Sequence, residues 1–285
     1  MPAALLATAL IGYDYYQRER ARLVSDSLAT AHAMAAAVDS ELAGVRAGLT
    51  ALATSPSLAS GDFAAFHAQA QAAMKEQAFV NIVLLDASDR QILNTLRASG
   101  EPLPASGNPP QLHEIFRSGQ AVTTGLFIGP VAKKPLVAVG VPVRHDGAVR
   151  YSLNAGIAPD RFAAIVRSER LPASWIAVVV DGSGTVVART RDAARFVGQK
   201  ATESVVEHIA REREGTFDGT TLEGIPVITV FTHAPVSGWS VVIGIPQATL
   251  LLQLWISIAR LALVMFVVLG TAIGLAMLIG RGRSL

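Results

Sequence analysis

The first long pattern in the chain is a row of apolar residues at helical spacing. From Tyr15 to about Ser55 the sequence has no proline, hardly any glycine, and is rich in Ala, Leu, Arg and Glu. Apolar residues recur in steps of three and four, the period of one helix face. They are Leu28, Ala31, Ala35, Val38, Leu42, Val45, Leu49 and Leu52. The pattern predicts a long stalk helix over residues 15–56, whose apolar stripe is buried against a partner helix or a sheet.

The rest of the pattern is a unit that occurs twice. After a helix at Phe63–Gln77, the first copy has strand-like runs at Phe79–Asp86 and Arg90–Thr95, a short helix and three more strand-like runs. The stretch VVVDGSGTVV of the second copy aligns with VLLDASDRQI of the first. Further along, VITVFTHAPV…SGWSVVIGIP of the second copy corresponds to LVAVGVPV…HDGAVRYSLNAGIAP of the first. The repetition predicts an α+β fold with two tandem PAS-like units, each built on a five-stranded antiparallel sheet.

The glycine-containing loop DGSG, residues 181–184, has three possible interpretations. A phosphate-binding loop would lead into the N-terminus of a helix, but Thr185–Thr190 continues as a β-branched strand. A calcium loop would place glycine at its sixth position, where this sequence has Val186. The first copy has DASD in the same place, and both sequences suit a hairpin turn. We therefore interpret DGSG as a turn.

Membrane segments are predicted at both ends of the chain, which is 51% hydrophobic and only 16% charged. Leu261–Gly280 has no charged residue and, as a helix, is long enough to span a bilayer core. Arg281 and Arg283 follow it, which indicates a cytoplasmic end. Pro2–Gly12 is apolar but too short to span, and we expect it to be the outer end of a first transmembrane helix. This topology places the bulk of the chain in the periplasm, at a bacterial inner membrane.

These elements divide the chain into six predicted segments. In order they are a remnant of a first transmembrane helix (1–14), the stalk helix (15–56), a membrane-distal PAS-like unit (57–172), a membrane-proximal PAS-like unit (173–247), a juxtamembrane and second transmembrane helix (248–280), and the start of a cytoplasmic segment (281–285). The two units have a reasonable size for small domains.

The sequence carries few groups suited to catalysis or metal binding. It has no cysteine, and its six histidines are scattered without an HExxH pattern. It also lacks a phosphate-binding P-loop, a GxSxG elbow and an SxxK motif. The net charge of +2 is too small to indicate a nucleic-acid-binding protein. We therefore expect no catalytic residue, no metal site and no cofactor, and a chain that binds a ligand without transforming it.

Several stretches resemble a known receptor family. They are ILNTLRASGEPLP, VAVGVPVRHDG, VVARTRDAARFVGQ, TTLEGIPVITVF and SGWSVVIGIP. Together with the long helix, the two PAS-like units and the second membrane helix, they resemble the double Cache (dCache) periplasmic sensor region of bacterial transmembrane sensor histidine kinases. The resemblance is to alphaproteobacterial kinases, often of the HWE type, and covers Ala29–Arg283.

The resemblance implies an input module of a two-component system. A small molecule would bind in the membrane-distal unit and move the helix Gln247–Leu261 relative to the stalk of a partner in a homodimer. We expect that dimer to form through the apolar stripe of Ala29–Leu52, with Ala31, Val38 and Val45 as positions for cysteine cross-links. Alternatives are the input module of a chemoreceptor or diguanylate cyclase, and a stand-alone membrane-anchored binding protein.

The candidate ligand site lies in the first unit, on the sheet face away from the long helix and under the loop after the second strand. Its candidate residues are Asn94, Thr95, Arg97, Thr123, Thr124, Phe127, Tyr151 and Asn154. An arginine there could bind a carboxylate through two parallel hydrogen bonds. Tyr151 and Asn154 are three positions apart on one strand, so only one of them can face the pocket. The Tyr, Arg, Trp, Tyr and Asp set of amino-acid-binding dCache domains is not found, which argues against an amino-acid ligand.

Overall fold

One long N-terminal helix packs along two β-sheets, one in each unit of the duplicated sequence. A computed structural model describes residues 2–77, 79–104, 106–169, 171–249 and 271. The helix, α1, runs without interruption from Pro2 to Leu52. The predicted boundary between residues 14 and 15 falls inside it, because the sequence on either side contains no helix-breaking residue. The predicted α+β fold class is confirmed, with a long N-terminal helix and two antiparallel sheets.

The predicted membrane segments are not seen as spanning helices in the structure. Within the described residues, no helix is both long and apolar enough to cross a bilayer. Apart from Thr271, the predicted spanning segment Leu261–Gly280 lies outside those residues. The predicted helix Gln247–Leu261 lies outside them beyond residue 249.

The first unit consists of short elements and one long hairpin. In chain order these are α2 (Pro56–Ala59), α3 (Phe63–Gln77), β1 (Asn81–Asp86), β2 (Gln91–Asn94), a 3₁₀ turn (Pro110–His113), α4 (Glu114–Ser118), β3 (Val122–Thr123), β4 (Phe127–Ile128), β5 (Pro135–His145) and β6 (Ala148–Ile157). The β5–β6 turn contains Asp146 and Gly147, both at positive φ. Asp62 caps α3, since its Oδ1 accepts a hydrogen bond of 3.0 Å from the backbone N–H of Ala65.

The second unit follows the linking helix α5 (Asp160–Ser168) and repeats the plan. Its elements are β7 (Ile176–Val180), β8 (Val186–Arg189), α6 (Ala193–Phe196), α7 (Glu203–Arg211), β9 (Glu214–Thr220), β10 (Pro226–His233) and β11 (Ser240–Pro246). The first sheet has the order β2-β1-β6-β5-β3, with β4 also paired to β5, and the second has β8-β7-β11-β10-β9. Counted within each unit, the two orders are the same when β3 and β4 are taken as one interrupted strand.

The first sheet has six strands, so the predicted five-stranded sheet is wrong for this unit. The predicted third strand, Val122–Ile128, is divided into β3 and β4. The division has a physical cause in the second unit. The backbone N–H of Leu126 donates to the carboxylate of Asp181 at 2.9 Å and is therefore not available for pairing with β5.

The DGSG loop is a hairpin turn between β7 and β8, as its sequence predicts. The Oδ1 atom of Asp181 accepts hydrogen bonds from the backbone N–H groups of Ser183 and Thr185, each at 2.9 Å. In the first unit, Oδ1 of Asp86 accepts bonds from the N–H groups of Ser88 and Arg90 in the same way. Both turns are held by an aspartate at their first position, which explains why glycine can be exchanged elsewhere in the loop.

The apolar stripe of α1 packs against the two sheets of its own chain. Ala31, Val38, Val45 and Leu49 are buried and belong to one core with residues of β5, β6, β10 and β11. The stripe is therefore not free to meet a partner helix. This corrects the expectation of a dimer through the apolar stripe of Ala29–Leu52, and of cross-links at Ala31, Val38 and Val45.

Candidate functional site

The outer face of the first sheet, opposite α1, carries a cavity edged by side-chain amides. Along β1 the side chains of Ile82 and Leu84 belong to the core shared with α1, while Asn81, Val83 and Leu85 lie on the other face. The cavity measures about 360 Å³ including its open mouth. Its lining consists of Asn81, Val83, Leu85, Gln91, Asn108, Pro109, Leu112, Phe127, Gly129, Pro130, Leu136, Ala138, Asn154 and Gly156. We call it the distal cavity.

Three amide side chains form a continuous network beside this cavity. Asn94 donates to Gln91 at 2.9 Å, and Gln91 donates to Asn108 at 2.8 Å. Asn108 in turn donates to the backbone carbonyl of Asp89 at 2.9 Å. Burial raises the pKa of the Asp89 carboxyl, against the lowering effect of Asn108. The network connects β2 to the loop before the 3₁₀ turn and fixes the wall of the cavity.

Asn154 on β6 presents an unpartnered acceptor at the same cavity. Its Nδ2 group donates to the carbonyl and the hydroxyl of Ser152, at 3.0 and 2.9 Å, and more weakly to the carbonyl of Val83 at 3.3 Å. Because these acceptors take the amide nitrogen, the orientation of the amide is set. Its Oδ1 atom is buried and has no hydrogen-bond partner among the residues that the structure describes. Such an acceptor destabilises a folded protein by about 1–3 kcal/mol unless something satisfies it.

Two glycines make room for the amides on this face. A Cβ atom on Gly140 would collide with Oδ1 of Asn154, and one on Gly156 would collide with Oδ1 of Asn81. Gly140 and Gly156 lie on the neighbouring strands β5 and β6. The bare backbone at these positions is what allows the two amides to lie flat against the sheet.

The structure brings only part of the predicted site together. Phe127 and Asn154 line the distal cavity. Asn94 belongs to the amide network beside it. Thr124 is buried at the edge of the sheet, where its hydroxyl accepts the N–H of Ala138 at 2.9 Å. Thr95 is also buried, and its hydroxyl accepts the N–H of Ile82 at 2.9 Å, so it holds β1 to the end of β2.

Three predicted residues lie away from the distal cavity. Arg97 has a side chain that is 54% exposed and 4.0 Å from Glu101, because the chain has already left the sheet at that point. Thr123 lies on the opposite face, among α1 residues such as Asp39 and Arg46. Tyr151 is also on that face, in edge contact with Phe63 of α3 at 5.8 Å between ring centroids. The parity argument for Tyr151 and Asn154 therefore holds, and Asn154 is the one that faces the cavity.

A second cavity occupies the matching face of the second sheet, and the sequence reasoning missed it. Its lining is apolar apart from four threonines and Arg189, and it measures about 480 Å³ including its mouth. We call it the proximal cavity. Arg189 is 2% exposed, donates from Nη2 to Glu223 at 2.7 Å, and has its guanidinium carbon 4.3 Å from the ring centroid of Phe196. Its Nη1 atom is buried and finds no hydrogen-bond partner within the described ranges of the chain.

The internal repeat contains the signal that identifies Arg189. Extending the alignment of VVVDGSGTVV with VLLDASDRQI by three positions pairs Arg189 with Asn94 and Thr190 with Thr95. The structure bears this pairing out, since Val83 pairs with Asn94 and Val178 pairs with Arg189. The hydroxyl of Thr190 accepts the N–H of Ala177 at 3.1 Å, as Thr95 does for Ile82. Asn81, Gln91 and Asn108 left no comparable signal, because isolated amides are common in loops and at strand ends.

No protein-family model matches the chain, and no curated protein matches it either. Solved structures do match. The extracellular domain assigned to a histidine kinase, rpHK1S-Z16, is 14% identical with a TM-score of 0.61, and the match covers 78% of this chain and 93% of that one. The ligand-binding domain of Mlp24, with asparagine, is 19% identical with a TM-score of 0.60 and coverage of 84% and 98%.

The ligand-binding domain of the Pseudomonas fluorescens chemoreceptor CtaA, in complex with L-isoleucine, is similar as well. It is 14% identical with a TM-score of 0.63, and the match covers 83% of this chain and 98% of that one. The chain therefore has the fold of extracellular and ligand-binding domains from histidine kinases and chemoreceptors. At these identities the likeness concerns the fold.

Proposed function

We propose that this chain is the extracytoplasmic ligand-sensing input module of a bacterial sensor histidine kinase of the double Cache type. It is anchored in the inner membrane, lies mostly in the periplasm, binds a small molecule and performs no reaction itself. The fold shared with extracellular domains of this kind supports the proposal. The resemblance of VAVGVPVRHDG and SGWSVVIGIP to such kinases supports it independently.

The observation that carries a binding function is the buried, unpartnered Oδ1 of Asn154 at the distal cavity. A ligand that donates a hydrogen bond to it would satisfy the acceptor that the fold leaves unpaired. The described lining residues of this cavity are all uncharged. The cavity therefore favours a small, uncharged, polar ligand with a donor group over a zwitterionic amino acid, whose charges would lose hydration without gaining partners.

A thermal-shift screen of the full chain in lipid nanodiscs tests this function. Small sugars, alcohols and amides are the probes, and the variants are Asn154→Leu and Tyr151→Phe. These two positions lie on the same strand and face opposite sides of the sheet. We expect the stabilisation by a hit to disappear in Asn154→Leu and to persist in Tyr151→Phe. A hit that stabilises the Asn154→Leu variant fully would contradict the assignment of this cavity.

Signal transmission in this proposal uses displacement of α1 within a homodimer. A dimer contact along α1 has to use the face away from the sheets, where Ala33, Ser40 and Ala47 are exposed. These positions follow Ala31, Val38 and Val45 by two residues, which places them on the opposite face of the helix. Cysteines at Ala33, Ser40 and Ala47 are expected to cross-link in membranes, and cysteines at the buried positions to remain unlinked. Absence of cross-links in both sets would exclude a dimer through α1.

The alternative output domain is that of a chemoreceptor, and the similar ligand-binding domain of the chemoreceptor CtaA supports this alternative. A diguanylate cyclase or a stand-alone binding protein would use the same input. The coding sequence that follows residue 285 distinguishes them, because each output domain has its own catalytic or signalling motifs. A histidine phosphorylation motif there is the expected result, and a chemoreceptor signalling hairpin would refute the kinase assignment.

A further inference from the structure

Arg189 is a buried cation whose hydrogen-bonding capacity is only partly used. Glu223 takes one N–H of Nη2, and Phe196 covers one face of the guanidinium. Nη1 is buried and pairs with nothing in the described part of the chain. A guanidinium has five N–H donors in a fixed planar arrangement that matches the two oxygens of a carboxylate. Its environment therefore leaves an anion-binding edge at the wall of an apolar cavity.

We propose that the proximal cavity is a second ligand site, which binds a short aliphatic monocarboxylate through Arg189. The carboxylate accepts from Nη1 of Arg189, and the aliphatic part lies against the valines and isoleucine of the inner wall. The site is separate from the distal cavity and belongs to the other unit. It stands as a binding site whether or not the distal cavity binds a ligand, and only its role in signalling rests on the proposed sensor function.

The shape and polarity of the proximal cavity select the class of ligand. The apolar part of its wall is built from aliphatic side chains, among them Ile176, Val178, Val180, Val205 and Val242. The cavity measures about 480 Å³ including its open mouth, so its enclosed part suits a ligand of a few carbon atoms. Thr229 is 2% exposed, lines the same wall, and its hydroxyl makes no hydrogen bond within the described residues. It is therefore a further hydrogen-bonding group available to a ligand in this cavity.

The ion pair with Glu223 already shows that Arg189 binds a carboxylate in this environment. Glu223 lies in the turn between β9 and β10, and its side chain is 19% exposed. Burial alone would raise the pKa of Glu223, but hydrogen bonds from Arg189 and Thr221 outweigh this and hold the pKa below its ordinary value. The glutamate is thus a charged neighbour of the incoming ligand. Binding of a second carboxylate at Arg189 repels Glu223 toward solvent and so biases the β9–β10 turn.

Isothermal titration calorimetry on the full chain in lipid nanodiscs tests the site. The probe is butyrate, compared with butyramide, which has the same shape without the charge, and with butylamine, which has the opposite charge. The variants are Arg189→Met, Glu223→Gln, Arg195→Met and Asn154→Leu, the last of which removes the free acceptor of the distal cavity. Arg195 is the matched control, because its guanidinium also lies over Phe196, at 5.0 Å, but it is exposed and does not line the cavity. Circular dichroism checks that each variant is folded.

The expected result is saturable binding of butyrate to the native chain and to Asn154→Leu, without measurable binding of butyramide or butylamine to Asn154→Leu, in which the distal cavity no longer contributes. Arg189→Met should weaken the binding at least about tenfold, as for loss of a charge-assisted hydrogen bond, and Arg195→Met should leave it unchanged. Glu223→Gln should tighten it at least about threefold, because a like charge beside the ligand is removed. If Arg189→Met does not fold, the Glu223→Gln result decides.

Three results would overturn the proposal. One is that butyrate does not bind, and another is that butyramide binds Asn154→Leu as well as butyrate does. The third is that binding survives in Arg189→Met but disappears in Asn154→Leu. That last result would leave ligand sensing in the distal unit intact while removing the second site, so the two proposals fail separately.

Discussion

Asp39 fastens α1 to the second unit, and we predict that its removal measurably destabilises the protein. The Asp39 side chain is on the buried side of the helix, with the residue 8% exposed. Its two carboxylate oxygens accept the backbone N–H groups of Val236 and Ser237, at 2.8 and 2.9 Å, in the turn between β10 and β11. These contacts join residues almost two hundred positions apart in sequence.

The expected loss of stability follows from the number of these hydrogen bonds and from their exposure to water. A hydrogen bond to a charged group contributes about 1.5–3 kcal/mol, which gives an upper range of about 3–6 kcal/mol for two. Val236 is 66% exposed, so water can reach the N–H groups that the substitution frees. Asp39→Ala should therefore lower the free energy of unfolding by about 2–3 kcal/mol. For a protein of this size that lowers the unfolding midpoint by about 4–12 °C.

Thermal unfolding of the full chain, followed by circular dichroism, measures this shift. Asp26→Ala is the matched control, since Asp26 is on the same helix, is 71% exposed, and only lies 3.9 Å from Arg22. Asp39→Asn should fall between the two, because its amide keeps one acceptor oxygen and loses the charge. If Asp39→Ala unfolds within 1 °C of Asp26→Ala, on the scale expected for neutral surface changes, the hydrogen bonds to the turn do not hold the helix in place.

Three further predictions concern the sheets and the Arg189 pair. Gly125→Ala places a Cβ about 2.5 Å from Oδ2 of Asp181, so it should disrupt the contact between the units and lower the unfolding midpoint by several degrees, whereas Gly44→Ala, which meets nothing within 4 Å, should not. Gly140→Ala should cost more than about 2 kcal/mol in urea unfolding, because the new methyl group meets Asn154 and Ile115, and a cost below about 0.5 kcal/mol would contradict the packing of this face. The folded-state pKa of Glu223 is below its ordinary value, so its contribution to stability is present above about pH 4.5 and is lost as the pH falls through the lower folded-state pKa. Glu223→Gln should therefore reduce the loss of stability between pH 5 and pH 3, and an unchanged acid dependence would argue against an ionised pair.

Periodicity in the sequence was sufficient to predict α1 and the repeated unit, but not what covers the helix. The spacing of Ala31, Val38 and Val45 requires one buried face, and a sheet or a partner helix satisfies it equally well. The division of the third strand depends on Asp181, which lies 55 positions after Leu126, and local pattern carries no information on such a contact. Long-range hydrogen bonds of this kind decide where strands end.

For the candidate sites, the alternation of side chains along a strand indicated which residues share a face of the sheet. The chemical type of a residue alone did not indicate whether it lies in a cavity. Parity separates Tyr151 from Asn154, although it does not say which of them faces the cavity. Arg97 has the right chemistry but lies beyond the end of β2, where the chain turns into solvent. Arg189 is the last residue of the equivalent strand in the second unit and aligns three positions before Arg97, which is why it is buried and Arg97 is exposed. The repeat alignment, applied to both copies, would have found it.

The shared use of α1 by both sheets has a consequence for biogenesis. The helix is synthesised first, yet the strands that cover its stripe are completed only at Pro246, the end of β11. At about 5–20 residues per second, translation of the intervening chain takes about 10–40 s. Throughout that interval the part of α1 that packs against β10 and β11 has no native cover on the nascent chain. We expect export and folding of this protein to depend on chaperones that shield an early helix, and to be sensitive to pauses in translation between the two units.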